Sequence, residues 1–411
     1  MFRRVEVRHY KILKRVDARL NPFNILVGPN ASGKSTLLDA LALLQSALTD
    51  DVEKAVRERA PSLRDLVWRQ QDVEAGFGIA VECAAPNDKL LRYEVQIGLG
   101  DDGSLSIQAE NLFLLPGGET PHAPSQAMLF PSDLPDDKPI VVSPRQRSPE
   151  RWKKIVSRGE TGSSNFRSEI TDWTTAYRLP ALRLSLSGVP EDEDRFPLAL
   201  WLKRLLMDGV QFIQLNSVRM RRPSPRDSAR RFQVDGSNLP IVVDELKAAH
   251  ADRFGWWIAH LQTLLPNLEA IEVREREEDR SRFIAVRYAG GLTVPAWLLS
   301  DGTLRMLALT LIAYLPPENA GVFLIEEPEN GLHPRVIEGV YQSLSSAYDS
   351  QILLSTHSPL FLNLAQPDDM LIFARTAQDA AAVIRGSAHR ALEDWRAGVS
   401  FSTLFAAGVF E

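Results

Sequence analysis

Eight residues, Gly28-Pro29-Asn30-Ala31-Ser32-Gly33-Lys34-Ser35, stand between the apolar run Phe23 to Val27 and a stretch with leucines at 37, 41, 44 and 48. The apolar run reads as a buried strand, and the leucine spacing reads as a helix with one buried stripe. In a turn between such elements, the glycines let the backbone curl with its N–H groups pointing inward. Lys34 can reach bound phosphates, and the hydroxyl of Ser35 can ligate Mg²⁺. The helix that follows, beginning with Thr36 close to its start, presents an N-terminus that attracts anions. Strand, phosphate loop and helix together restrict the chain to an α/β fold with at least part of its sheet parallel.

Composition narrows the field further. Among 411 residues, 47 Lys and Arg against 53 Asp and Glu leave a net charge of −6, so no global basic field marks a nucleic-acid partner. Cys83 is the one cysteine, which rules out an intramolecular disulfide or a Cys-x-x-Cys clasp and suits a reducing compartment. The opening residues Met1 to Val7 alternate like a strand rather than a signal peptide, and no apolar run is long enough to span a bilayer. The expectation is a soluble, cytoplasmic protein with no membrane partner.

Further along, Phe77 to Cys83, Leu91 to Ile97 and Leu105 to Ala109 alternate with period two and predict an antiparallel meander with one wet face. From Pro116 to about Ser164 the prolines recur, which suggests a long surface excursion. A helical region near Phe196 to Met207 and a strand near Val210 to Leu215 follow. After them come arginine-rich loops, a helix carrying Trp256 and Trp257, and a hairpin of Ile271–Val273 with Phe283–Tyr288. Leu299 to Phe373 reads as helix, strand, helix, strand, the parallel α/β pattern. There is no internal repeat and no sustained heptad pattern.

Three more segments carry chemistry. Val322-Phe323-Leu324-Ile325-Glu326-Glu327-Pro328 sets two carboxylates at the C-terminal end of a doubly buried strand, where open α/β sheets bind ligands. One carboxylate can help hold Mg²⁺ and the other can orient and deprotonate an attacking water. Gln351-Ile352-Leu353-Leu354-Ser355-Thr356-His357 places a histidine at a similar strand end. Leu299-Ser300-Asp301-Gly302-Thr303 opens a helix with Leu304, Leu307, Leu311 and Ile312 on one face. Its serine or aspartate reads either as an N-cap or as part of a second anion-binding helix start.

Taken together these motifs resemble an ABC-type AAA family ATPase of the RecF/SMC-like group, similar to the ATPase part of OLD-family nucleases and of anti-phage defence proteins. The likeness runs over residues 1 to about 115 and about 209 to 411. It implies an α/β fold, a P-loop NTPase head with a mixed or parallel core sheet, an antiparallel β lobe and a helical or loop insert. Residues 1–115 would form the N-terminal part of the head, 116–208 a loop-rich then helical insert, and 209–411 the C-terminal part. Gly28–Ser35 would be Walker A, Leu299–Gly302 the signature, Phe323–Glu327 Walker B and His357 the switch histidine. The resemblance implies that two copies sandwich ATP and Mg²⁺. Lys34 would bind the β- and γ-phosphates, Ser35 would hold the metal, and Glu326 would support it. Glu327 would act as general base, and His357 would sense the γ-phosphate. Ser300 and Gly302 would contact that phosphate from the partner copy. Gln71, or Gln70 beside it, falls where a Q-loop glutamine would. Met1–Lys14 resembles the group's opening strand and Ala391–Glu411 its closing helical tail. Two positions depart from the usual pattern: Glu326 replaces an aspartate, and His333 stands where a D-loop aspartate is common.

The function implied is ATP hydrolysis that switches a DNA-linked process, in repair or anti-phage defence. Arg219, Arg221, Arg222, Arg226, Arg230 and Arg231, together with Arg145, Arg147, Arg151, Lys153, Lys154 and Arg158, are the clusters that could neutralise DNA phosphates. Their alternative reading is a solvated face balancing the acidic residues. A second function class is an ATP-gated scaffold that holds or releases a separate effector protein such as a nuclease or toxin. The few residues beyond His357 leave little room for an attached nuclease domain. A transporter's nucleotide-binding subunit fits less well, given the long stretch between Ser35 and Leu299 and the unusual D-loop.

Overall fold

In this computed structural model, the described residues are 1–70, 75–116, 139–143, 149, 151–158, 162–389 and 392. They form two compact units. The first comprises Met1–Asn21, Leu26–Val210 and Pro367–Glu411, and the second Pro22–Ile25 and Gln211–Gln366. The strand Phe23–Val27 therefore straddles the boundary in sequence. Among the described residues no helix is long and apolar enough to cross a membrane.

The first unit contains an eight-stranded antiparallel sheet. Its order is Leu13–Arg19, Phe2–Tyr10, Phe77–Ala85, Lys89–Leu99, Leu105–Leu115, Lys153–Arg158, Ser163–Arg167 and Thr174–Arg178. The three strands of the expected meander pair in sequence order, Phe77 opposite Ile97 and Tyr93 opposite Leu112. The sheet then continues into the region that its prolines mark as a loop. Lys153–Arg158 pairs with Leu105–Leu115, and Ser163–Arg167 pairs with it in turn. The apolar pair Ile155 and Val156, both buried, explains why: two residues suffice to seat a short strand against an existing edge. The same unit holds the helix Lys34–Thr49, whose Leu37, Leu41, Leu44 and Leu48 are all buried, and the antiparallel pair Met370–Arg375 and Ala381–Arg385.

The expected wet face of the meander is not wet. Glu6, Glu82, Arg92 and Glu94 occupy the polar alternates and are all buried. Arg92 donates to Glu94 at 2.6 Å, to Glu82 at 2.9 Å and also to Glu6. Residues 139–143 lie over this face. Arg92 donates to the Ile140 carbonyl at 2.8 Å, the Val142 amide donates to Glu94 at 2.8 Å, and Asn111 donates to the Val142 carbonyl at 2.8 Å. Ile140 and Val141 form a small buried cluster with Ala109. Alternation records which residues are polar, not whether water reaches them. Complementary charges and a covering segment turn a polar face into an interior one.

The second unit is a parallel α/β arrangement in the order that Leu299 to Phe373 predicts. Helices Asp301–Leu311 and Pro334–Ser345 alternate with strands Val322–Glu326 and Gln351–Ser355, which pair in parallel. Val210–Ile213 flanks Val322–Glu326, and Phe23–Val27 lies on the other side of Gln351–Ser355. The apolar cores Phe323, Leu324, Ile352, Leu353 and Leu354 are wholly buried, as strands covered on both faces require. A separate three-stranded antiparallel sheet holds the hairpin Leu268–Glu275 with Arg282–Tyr288, and Thr293–Pro295 on its edge. Trp257, on the helix Ala251–Leu264, is fully buried and donates to Thr310 at 3.0 Å, while Trp256 is exposed.

The Arg92 network makes a direct prediction. Arg92→Met leaves Glu94 buried without its ion pair and leaves Glu6 and Glu82 with Arg4 alone. It should lower unfolding stability by about 3–5 kcal/mol, the usual result of removing one partner from a buried charge group. Urea denaturation of wild type and variant at neutral pH measures this.

Candidate functional site

The phosphate-loop segment lies in the first unit. Its backbone takes conformations that L side chains rarely adopt: Gly28 at φ 149°, Ala31 at φ 59° and Gly33 at φ 108°. A Cβ on Gly28 would meet the Phe373 carbonyl oxygen at 2.2 Å, so only glycine fits this close approach. Gly33 is also confined, though less tightly, with Leu13 and Ala381 side-chain atoms 2.9 Å from where its Cβ would stand. Lys34 is buried, and its ammonium donates to the Gly28 and Pro29 carbonyls at 2.8 Å each. The cation is thereby held inside the curl of its own loop.

Helix Lys34–Thr49 begins at Gly33 with no side-chain cap and no acidic residue in its first turn. An uncapped sixteen-residue helix directs its first N–H groups and the positive end of its dipole at whatever lies before it. Ser35 is exposed on that first turn, and the Ser32 hydroxyl is buried without a hydrogen-bond partner among the described residues. The loop therefore fits an anion of the polyphosphate kind in curvature, cation and helix start.

Asp39, one turn into the same helix, anchors it to the sheet. It accepts from the Tyr10 hydroxyl at 2.6 Å, Lys11 at 2.5 Å and Arg59 at 2.7 Å. Burial pushes its carboxyl upward, but Arg59, Lys11 and Tyr10 outweigh burial and hold it below the usual aspartate value.

The second unit carries the acidic strand end. Parallel pairing sets Glu326 opposite Ser355, so the last residues of the two strands come level. The Glu326 Oε1 is buried without a hydrogen-bond partner among the described residues, an open acceptor of the kind that suits a hydrated cation. Glu327 has φ 45°, a left-handed conformation that costs a non-glycine residue about 1 kcal/mol or more. Its amide donates to the Ser355 carbonyl at 2.8 Å, and its carboxylate accepts from the Asn330 side chain. A cavity of about 250 Å³ beside it is lined by Phe212, Arg305, Glu326, Glu327 and Asn330.

Ser300 caps helix Asp301–Leu311: its Oγ accepts from the Thr303 amide at 3.1 Å and pairs with the Thr303 hydroxyl at 2.8 Å. Arg221 donates to the Leu299 carbonyl at 3.0 Å and to Asp301, fixing the entry to this helix. Gly302 lies against the turn after Glu327, where an added Cβ would meet the Gly331 carbonyl oxygen at 2.7 Å. His333 caps helix Pro334–Ser345, its Nδ1 accepting from the Arg335 amide at 3.2 Å. This departure from the usual aspartate thus has a local role.

Thr356 is buried and His357 half-buried beyond the Gln351–Ser355 strand. Sequence reasoning missed the residue that ties them down. Glu329 accepts from the Thr356 hydroxyl at 2.6 Å, the Ser358 amide at 3.1 Å and the His357 amide at 3.3 Å. Burial raises its carboxyl above the usual glutamate value. The signal was present as a third carboxylate within Glu326-Glu327-Pro328-Glu329.

Gln71 lies outside the described residues, as do Arg145, Arg147 and nearly all of Ala391–Glu411. Most of the remaining basic residues are engaged internally. Arg219 pairs with Asp235, Arg230 with Glu245, and Arg231 donates to the Ala320 carbonyl. Lys153 donates to the Glu169 carbonyl, Lys154 packs over Phe113, and Arg158 donates to three carbonyls including that of Arg183. Arg222 and Arg226 are exposed and form no ion pair among the described residues.

Comparison with known proteins places the chain. Residues 23–363 match the family described as "AAA domain, putative AbiEii toxin, Type IV TA system", and the chain belongs to that family. A curated relative, an OLD nuclease from Thermus scotoductus, is 22% identical over 398 residues, covering 93% of this chain. The chain spans 64% of that nuclease's length. Among solved structures, the SmcHead bound to the C-winged helix domain of ScpA aligns at TM-score 0.53 and 15% identity, over 93% of this chain and 97% of that one. A Smc head with an extended coiled coil bound to the C-terminal domain of ScpA, derived from Pyrococcus furiosus, gives 0.51 and 14%, over 96% and 99%. The fold is that of a P-loop ATPase head of the ABC and SMC type.

Asp39→Asn tests the anchor of the phosphate-loop helix. Because the folded carboxyl titrates below its unfolded value, its contribution is complete above the unfolded value and fades as pH falls through the folded one. The variant should lose about 1–3 kcal/mol at neutral pH. The gap to wild type should close in acid, as followed by urea denaturation across the pH range.

Proposed function

We propose that this member of the AAA-domain family binds ATP with Mg²⁺, hydrolyses it, and dimerises around it to switch a DNA-linked process in repair or anti-phage defence. The observation that carries the reading is the loop itself. A glycine-confined curl, a lysine turned into it and an uncapped helix start form a polyphosphate cradle.

In this reading Lys34 binds the β- and γ-phosphates, and the backbone from Gly28 to Thr36, through Pro29, Asn30, Ala31, Ser32 and Gly33, lines them. Ser35 and Glu326 are the groups that would hold Mg²⁺, which when bound neutralises phosphate charge. Glu327 orients and deprotonates the attacking water, its carboxylate steadied by Asn330. His357 senses the γ-phosphate. Ser300 and Gly302 of a second copy complete the site, so that the capped helix start at Ser300 serves in trans. The AAA family and the Smc-head fold support this arrangement.

One observation favours a second reading, in which the ATP-bound dimer holds or releases a separate effector protein. Of the six arginines from Arg219 to Arg231, four are tied to carboxylates or carbonyls within the unit, and Arg222 and Arg226 form no ion pair among the described residues. Internal pairing of this kind in the segment supports a regulatory head at least as well as a DNA clamp.

Two variants test the shared core. Glu327→Gln should bind ATP, hydrolyse it at least about 100-fold more slowly and accumulate as a dimer. Light scattering that finds only monomer with ATP and Mg²⁺ rejects the sandwich. Ser300→Arg should retain ATP binding in equilibrium dialysis yet remain monomeric. Loss of duplex-DNA affinity on replacing Arg222 and Arg226, with dependence on ATP, distinguishes the DNA switch from the effector scaffold.

A further inference from the structure

Glu329 is a half-buried carboxylate to which the hydrolytic scheme gives no task. It lies in the turn 328–331 directly after Glu327, and one of its oxygens gathers three donors from another strand end. These are the Thr356 hydroxyl at 2.6 Å, the Ser358 amide at 3.1 Å and the His357 amide at 3.3 Å. The Ser358 amide also donates to the Thr356 hydroxyl at 3.0 Å, which closes a small ring of bonds around the histidine's backbone. A second link runs the other way, from the Glu327 amide to the Ser355 carbonyl at 2.8 Å. Two adjacent loops are thus joined at two points, with Glu327 at one and His357 at the other.

We propose that Glu329 is a positioning residue for hydrolysis, which sets the backbone of His357 relative to Glu327 so that the sensing imidazole and the base act as one unit. This rests on the ATP-hydrolysing reading above. Both neighbours sit in irregular backbone: Glu327 has φ 45°, a conformation other than the one its residue type favours, and His357 lies in the short loop 356–358 between a strand and a helix. Glu329 supplies what a helix or strand would otherwise supply, namely acceptors for two consecutive amides. Its other oxygen, Oε2, is buried without a hydrogen-bond partner among the described residues, so one acceptor oxygen carries the whole contact. An amide side chain of the same length retains that oxygen.

The test is steady-state ATP hydrolysis by the full chain. Glu329→Ala should lower kcat by about 100-fold with KM for ATP changed less than about threefold, because a shift of about an ångström in a reacting group has that consequence while binding is made elsewhere. Glu329→Gln should retain at least about a third of wild-type kcat, since its carbonyl oxygen can face the same donors. In the double variant Glu329→Ala with His357→Ala, the loss should not exceed that of the worse single variant, because residues acting as a unit are not additive. If the alanine variant does not fold, as judged by its thermal melt, Glu329→Asp carries the same test. Its arm is too short to reach all three donors, and it should show the alanine pattern. Losses that multiply in the double variant, a kcat unchanged in Glu329→Ala, or a Glu329→Gln variant as impaired as alanine each overturn the positioning role alone. Absence of hydrolysis in the wild-type chain overturns the ATPase reading itself and this role with it.

Discussion

Parallel pairing of Val322–Glu326 with Gln351–Ser355 fixes the chemistry of the second unit. Because Glu326 stands opposite Ser355, two chain reversals begin at the same height. Everything polar that follows, Glu327 on one side and Thr356 and His357 on the other, emerges together. A slip of one residue would turn Glu326 and its neighbours onto the opposite face of the sheet. Wholly buried apolar runs on both strands hold the register, so burial of Phe323, Leu324, Leu353 and Leu354 bears on reactivity as well as stability.

Glycine plays the corresponding part where backbones approach. Gly28 beside the Phe373 carbonyl and Gly302 beside the Gly331 carbonyl are places where no side chain fits. The first shapes the phosphate loop. The second brings the start of the Asp301–Leu311 helix against the turn that follows Glu327. Contact of backbone with backbone transmits displacement with little slack, since neither partner has rotamers to absorb it.

The motif strings made most of this legible in advance. Spaced leucines gave the phosphate-loop helix, and apolar runs ending in carboxylates or histidine gave the parallel strands. Illegible were features that depend on what covers a residue. Alternation in the meander marked Glu82, Arg92 and Glu94 as outward-facing, yet the segment around Ile140 roofs them over. Prolines concealed the strand Lys153–Arg158, because turn signals around it outweighed two apolar residues. The arginines near residue 220 looked like a free basic patch. Their pairing with Asp235, Asp301 and Glu245 depends on distances of 15 to 80 residues along the chain, beyond any local pattern. Glu329 escaped notice for the same reason: its donors lie 27 to 29 residues away.

The left-handed backbone of Glu327 has an evolutionary side. At that position glycine or asparagine would relieve the local strain, so a search guided only by resistance to heat would drift away from a carboxylate there. A glutamate that persists against such drift has to be kept by what its side chain accomplishes. Directed-evolution campaigns toward a sturdier form of this protein therefore need an activity screen at every round, because a screen for robustness alone does not register the loss of that carboxylate.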